Sequence, residues 1–137
     1  LQKHLGLTYL FISHDLPVVE LVSQKVAVMY LGRIVEMGLA ETIAHQPRHP
    51  YTRILWSSLA DKRSTEVSLS ARGGASAGRE RRAWGVFDFE QPARGCRFAP
   101  RCPPSQDQGR PAVCTDPASE PPLRDLGNGQ VVACHFA

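Results

Sequence analysis

The stretch Leu7-Thr8-Tyr9-Leu10-Phe11-Ile12-Ser13-His14-Asp15-Leu16 decides how this chain is read. Its first six residues are apolar and β-prone without alternation, which fits a strand buried on both faces, as in a parallel sheet. Ser13-His14-Asp15 interrupts the run. Leu16, Val18, Val19, Leu21 and Val22 then follow at helical spacing, with Pro17 where a first helical turn needs no N–H. The expectation is strand, tight polar turn, helix. In an open parallel sheet, ligands bind outside the carboxyl ends of the strands, and His14 stands at such an end. An imidazole accepts on one side and donates on the other near neutral pH, so His14 suits a phosphate or a water. A solvated turn histidine is the commoner outcome for a lone His.

Outward from this stretch, Val26 to Leu31 is expected as a second strand. Gly32-Arg33 would form a two-residue turn of type II′, and Arg33 to Met37 would return as a third strand ended by Gly38. Ala40 to His45 reads as a short helix. Pro47 and Pro50 bracket an extended connector. Tyr51 to Ala60 is helical, with Ile54, Leu55, Trp56 and Leu59 on one face; Tyr51, Trp56 and Leu59 could dock a partner, but such a stripe more often packs into a core. Residues 61–93 read as a flexible linker, because Asp61 to Arg82 holds few large apolar groups to offset chain entropy. Within it Arg79, Arg81 and Arg82 form a basic run that reads as solvated rather than as a lipid or subunit contact. Residues 94–137 are Cys- and Pro-rich, with a short strand at Val131-Val132-Ala133. The domain plan is therefore 1–60, linker 61–93, and 94–137.

The chain has 137 residues, with 16 Lys+Arg against 13 Asp+Glu and a formal charge of +3. That excess is too small and too scattered for a nucleic-acid partner. No run approaches the roughly 18 apolar residues of a membrane span, and no signal peptide is visible. The sequence opens at Leu1 in mid-pattern, which reads as a piece of a longer protein.

Cys96, Cys102, Cys114 and Cys134 are spaced C-x5-C-x11-C-x19-C among many prolines. A loop-rich segment this small buries little apolar surface and needs a staple. Four thiolates can hold an iron–sulfur cluster or a zinc ion. The close Cys pair usual in structural zinc sites is missing. Two disulfides, or four unrelated thiols, complete the alternatives. His135, beside Cys134, could substitute as a ligand, although neighbouring residues tend to point apart. Arg97 and Arg101 flank the first cysteines and could offset a negative centre, or be solvated.

Three motifs in order carry a resemblance. Leu7 to Leu16 resembles the switch region of ABC-transporter ATPase subunits, and Val26 to Glu36 is similar to the segment that follows it there. His49-Pro50-Tyr51-Thr52 resembles the motif that opens the C-terminal extension of the oligopeptide/dipeptide (peptide/nickel) importer branch. Gly95 to Pro103, Glu120-Pro121-Pro122-Leu123 and Val132-Ala133-Cys134-His135 resemble the cysteine motif of the same branch. The resemblance implies an α/β fold: the C-terminal portion of a P-loop ABC-type nucleotide-binding domain, followed by a small Cys/Pro-rich irregular module. It implies that His14 is the switch histidine, reaching the γ-phosphate of ATP. It implies a 4Fe-4S cluster on Cys96, Cys102, Cys114 and Cys134, and ATP with Mg2+ in the intact subunit. The implied partners are ABC permease subunits, a second ATPase subunit and, indirectly, a periplasmic or extracellular solute-binding protein. The implied place is the cytoplasmic face of the cell membrane, peripherally. The implied cargo is oligopeptides, dipeptides or nickel.

The departures set limits. No G-x-x-x-x-G-K-S/T phosphate loop, no apolar run ending in Asp-Glu and no Leu-Ser-Gly-Gly-Gln signature is present. This polypeptide alone is therefore expected neither to bind nor to hydrolyse ATP usefully. The Cys102–Cys114 gap is longer than in the branch, with Gln106 to Pro111 as a polar insertion, which makes Cys114 the weakest candidate ligand. A stand-alone iron–sulfur or zinc module, and a non-functional truncated gene product, stay open as alternatives.

Overall fold

The computed structural model describes residues 5–67 and 95–137. Helix α1 (Leu16–Val22) starts as the sequence predicts: Asp15 is its N-cap, its carboxylate accepting the Val18 N–H at 3.4 Å. Strands β1 (Lys25–Tyr30) and β2 (Arg33–Leu39) form an antiparallel hairpin, followed by α2 (Ala40–His45) and α3 (Pro50–Val67). Beyond residue 95, a 3-10 turn (Ala99–Arg101), α4 (Pro103–Asp107) and α5 (Ala112–Thr115) lead to the short strands β3 (Arg124–Asp125) and β4 (Val131–Val132).

One sheet joins both ends of the chain. Its order is β1-β2-β4-β3, with every described pair antiparallel. In β1 the side chains alternate, burying Val26, Val28 and Tyr30. In β2 the register slips: Val28 pairs with Glu36 and Met29 with Ile34, leaving Val35 as the extra, bulged residue. The bulge turns both Val35 and Glu36 inward. It also frees the Val35 carbonyl to accept the Ala133 N–H at 2.8 Å, one residue before Cys134.

Several expectations are corrected. Residues 7–12 form no strand; they are exposed, with Leu10 at 92% and Ile12 at 89% relative accessibility. A both-faces-buried strand needs parallel neighbours on each side, and no other described strand pairs with this run. The sheet that does form is antiparallel and is built on the hairpin expected from Val26 to Met37. The hairpin turn is Leu31-Gly32, both at positive φ (47° and 76°), with Tyr30 paired to Arg33. That is the type I′ pattern rather than II′. Gly38 does not end β2, which runs on to Leu39; a Cβ at Gly38 would meet Gln130 only in ordinary contact at 3.5 Å. Helix α3 extends to Val67, into the expected linker. The rest of that linker, with Arg79, Arg81 and Arg82, lies outside the described residues.

The core gathers Val19, Val26, Val28, Tyr30, Val35, Ala40, Ile43, Phe98 and Cys102, with Tyr51 and Trp56 packed against it. Tyr51 and Trp56 are thus core residues rather than a docking face, and Leu59 lies beyond the described side chains. No helix among the described residues is long and apolar enough to cross a membrane.

Candidate functional site

The structure brings the four cysteines together. Cys102, Cys114 and Cys134 are buried and Cys96 is half-buried; all four are free thiols. The Cys96 N–H donates to the Cys114 carbonyl at 3.0 Å, joining the first and third. Gly95 makes that approach possible. Its φ is +79°, and a Cβ there would sit 2.6 Å from the Asp116 oxygen and 2.8 Å from the Cys114 oxygen. The expected insertion at Gln106 to Pro111 is not a plain loop. It finishes α4 and turns through Gly109 and Arg110, both at positive φ, to start α5. Helix α5 delivers Cys114 with 2% exposure.

The thiols lie near enough to act on one another. Burial pushes the Cys102 thiol up to about 11, with Cys134, Cys96 and Cys114 adding to the rise. Cys96 is raised first by burial, then by Cys114 and Cys134; Cys134 is raised by burial and Cys114. Main-chain N–H groups oppose these rises. Phe98 and Ala99 donate to Cys96, Ser105 to Cys102, and Phe136 and Ala137 to Cys134, the Phe136 contact measuring 3.4 Å. The sulfurs are thus mutually repulsive as thiolates and receive main-chain N–H donors.

Among the described residues no group of three or more His, Cys, Asp or Glu closes around a point to hold a metal ion. The geometry of the described residues therefore supports neither the expected 4Fe-4S cluster nor its zinc alternative. His135 Nε2 lies 2.8 Å from the Ser119 carbonyl oxygen, so its ring is engaged elsewhere.

An aromatic box packs around Phe98. Phe98, between Cys96 and Cys102, meets Tyr30 edge-on at 5.1 Å and Tyr51 and His49 at 5.5 Å each. His49 is 1% exposed, and burial lowers its pKa to about 4, so its ring is neutral. Its Nδ1 accepts the Tyr51 N–H at 3.0 Å at the start of α3. The flanking arginines are used on the frame. Arg97 donates to the Leu31 carbonyl at 2.5 Å and pairs with Glu120 at 3.4 Å, while Arg101 hydrogen-bonds Tyr30. Glu120 also meets Arg33 at 3.4 Å, beside an open cleft of about 510 Å³ onto which Cys96 borders.

His14 is exposed on the loop before α1 and is not among the groups acting on the thiols. Three residues of consequence were not found from sequence: Glu36, Gln130 and Gly95. Gly95 had a signal, a glycine directly before a cysteine. The others depend on long-range pairing and had none.

Residues 35–108 match the family model described as the oligopeptide/dipeptide transporter, C-terminal region. The chain belongs to this family. The match takes in the His49-Pro50-Tyr51 segment, Cys96 and Cys102, and stops before Cys114 and Cys134. Relatives extend the similarity over this transporter-region chain from end to end. A putative peptide import ATP-binding protein of Brucella abortus is 43% identical over 136 residues, 99% of this chain and 35% of its own length. The dipeptide transport ATP-binding protein DppF of Escherichia coli is 41% identical over 138 residues, 98% of this chain and 35% of its own. The DppF of Haemophilus influenzae is 38% identical over 136 residues, 98% and 36% respectively. The chain thus spans about a third of the length of the curated relatives it matches.

Proposed function

We propose that this chain is the part of an ATP-binding subunit that carries the switch histidine and a cysteine-rich extension, and that the subunit powers import of peptides or dipeptides. The observation that carries this is the match over nearly the whole chain to peptide- and dipeptide-import ATP-binding proteins, with His14 held on the loop just before an Asp15-capped helix. In this reading His14 contacts the γ-phosphate of ATP and orders the attacking water, since phosphoryl transfer depends on positioning and charge stabilisation. The partners are permease subunits, a second ATP-binding subunit and, through them, a solute-binding protein, on the cytoplasmic face of the membrane. The exposed apolar run Leu7–Ile12 is in keeping with this, since it leaves apolar surface for other chain to cover, and the relatives are about three times as long as this chain.

Cys96, Cys102, Cys114 and Cys134 are the proposed ligands of a 4Fe-4S cluster. Four thiols that are buried or half-buried, three of them receiving main-chain N–H donors, support it. Such a cluster, when bound, supplies positive charge that neutralises the thiolates and cross-links segments that share little apolar core. The thiols bind, the main-chain N–H groups orient the sulfurs, and Phe98 with the aromatic box excludes water.

The test is made in the full-length subunit assembled with its permease. His14→Ala is expected to abolish ATP-driven peptide uptake while leaving subunit abundance unchanged, because the side chain is exposed. Retained uptake overturns the role of His14. Anaerobic reconstitution with ferrous iron and sulfide is expected to give equal amounts of iron and acid-labile sulfide; uptake of zinc in their place overturns the cluster.

A further inference from the structure

We propose that Ser13 is a positioning residue for His14: its hydroxyl fixes the main chain from which the imidazole reaches ATP. This rests on the reading that His14 contacts the γ-phosphate. Ser13 Oγ accepts the Asp15 N–H at 3.0 Å. The hydrogen bond therefore spans His14, and the chain bends there. A serine that accepts the N–H two residues on closes a turn with its own side chain and restrains the residue between. On the far side of His14, the Asp15 carboxylate accepts the Val18 N–H at 3.4 Å and the Asp15 carbonyl accepts the Val19 N–H at 3.0 Å. Val19 is the buried residue of α1 and belongs to the core. His14 is thus tied to the core by a short path: Val19, the Asp15 main chain, and the Ser13 hydroxyl.

The Asp15 carboxylate is committed to the start of α1. The residues just before Ser13, Phe11 and Ile12, are exposed and have no side-chain acceptor. The Ser13 hydroxyl is the group that closes the bend from its N-terminal side. An imidazole on a fixed Cα has two side-chain torsions left; freeing the Asp15 N–H releases the main chain on both sides of it as well. Phosphoryl transfer depends on positioning, and a misplacement of about 1 Å can cost about a hundredfold. A contact made only in the transition state acts on kcat and kcat/KM by the same factor and leaves KM alone. Substitution isolates the hydroxyl. Threonine keeps it, and valine keeps the shape of threonine without it.

The experiment measures kcat and KM for ATP hydrolysis by the full-length subunit assembled with its permease. The proteins compared are wild type, Ser13→Ala, Ser13→Thr, Ser13→Val, His14→Ala and the control Ser57→Ala, an exposed α3 serine whose hydroxyl bonds within its own helix. Ser13→Ala and Ser13→Val are expected to lower kcat roughly tenfold with KM for ATP within about twofold of wild type. Ser13→Thr should keep at least about half of the wild-type kcat, and Ser57→Ala should match wild type. A Ser13→Ala kcat equal to that of wild type overturns the proposal. So does a loss carried by KM rather than kcat, a loss shared by Ser57→Ala, or a Ser13→Thr enzyme as slow as Ser13→Val. Should Ser13→Ala fail to fold, the threonine and valine pair decides on the same terms. If His14→Ala keeps wild-type turnover, the reading of His14 itself fails and the proposal falls with it; an inactive His14→Ala beside an unaffected Ser13→Ala sinks the proposal alone.

Discussion

Gln130 Nε2 donates to Glu36 Oε1 at 2.6 Å across 94 residues of chain, and both side chains are fully buried. The same carboxylate accepts the N–H groups of Arg48 at 2.6 Å and His49 at 3.0 Å. Gln130 Nε2 also reaches the Gln46 carbonyl at 3.1 Å. One buried acid thus ties β2, the proline-bracketed connector and the β3–β4 turn into a single frame. A carboxylate is tolerated away from water only when its oxygens are occupied, and here neutral N–H donors occupy them.

Glu36→Ala is expected to destabilise the chain by about 3 kcal/mol or more, because it orphans several buried donors at once. Gln130→Ala should cost about 2 kcal/mol. In urea unfolding the double substitution should fall short of the sum by at least about 1 kcal/mol, since both act through one bond. Additive losses would show that the two ends of the chain fold independently.

How much of this was legible in the sequence divides along the range of the interactions. Helix α1 with its Asp15 cap, helix α2 over Ala40 to His45 and the strands around Val26 to Tyr30 follow from local pattern and capping chemistry. Leu7 to Ile12 carries the same kind of strand pattern, but a strand is a pairing, and no described strand pairs with it. The bulge at Val35 and the union of β2 with β4 depend on residues some 95 positions apart, which no window of periodicity reports. The cysteines announced themselves by residue type; their approach to one another depends on Gly95, and their hydrogen-bonded environment on main-chain groups that carry no sequence mark.

His49 sets a pH dependence. Its pKa is lowered by burial from the ordinary 6.5 to about 4. The unfolded chain therefore binds the proton more readily, and the stability from a neutral His49 is fully present above about pH 6.5 and is lost as pH falls through about 4, with an upper bound of about 3 kcal/mol. His49→Asn keeps an acceptor for the Tyr51 N–H at the helix start and should flatten that slope. Chemical denaturation from pH 7 to pH 4 on both proteins measures it; equal slopes would remove His49 as the cause.

Gly95→Ala should disable the cysteine centre without touching a thiol. The added methyl would meet the Asp116 and Cys114 main-chain oxygens at 2.6 and 2.8 Å, and φ of +79° is strained for any L side chain. Backbone must move, and Cys96 moves away from Cys114. Iron bound after anaerobic reconstitution is expected to drop several-fold, while Gly109→Ala, which has open space around its Cβ position, should lose far less. Equal iron in the Gly95 variant would show that the Cys96–Cys114 approach is not needed.

Phe98 links the two segments by packing, as Glu36 links them by polar bonds. It is 4% exposed and touches Tyr30, Tyr51 and His49. Phe98→Ala should cost about 3–5 kcal/mol as a large-to-small change in a packed site, and Phe98→Leu markedly less. The cavity would also admit water to the His49 ring, so its pKa should climb from about 4 toward 6.5. Titration of the histidine resonances in the Phe98→Leu variant, the one that should stay folded, separates this from plain loss of stability. A His49 pKa unchanged by loss of the aromatic ring would mean that α3 and β2 alone keep the imidazole dry, and that the cysteine segment only rests on a box already closed.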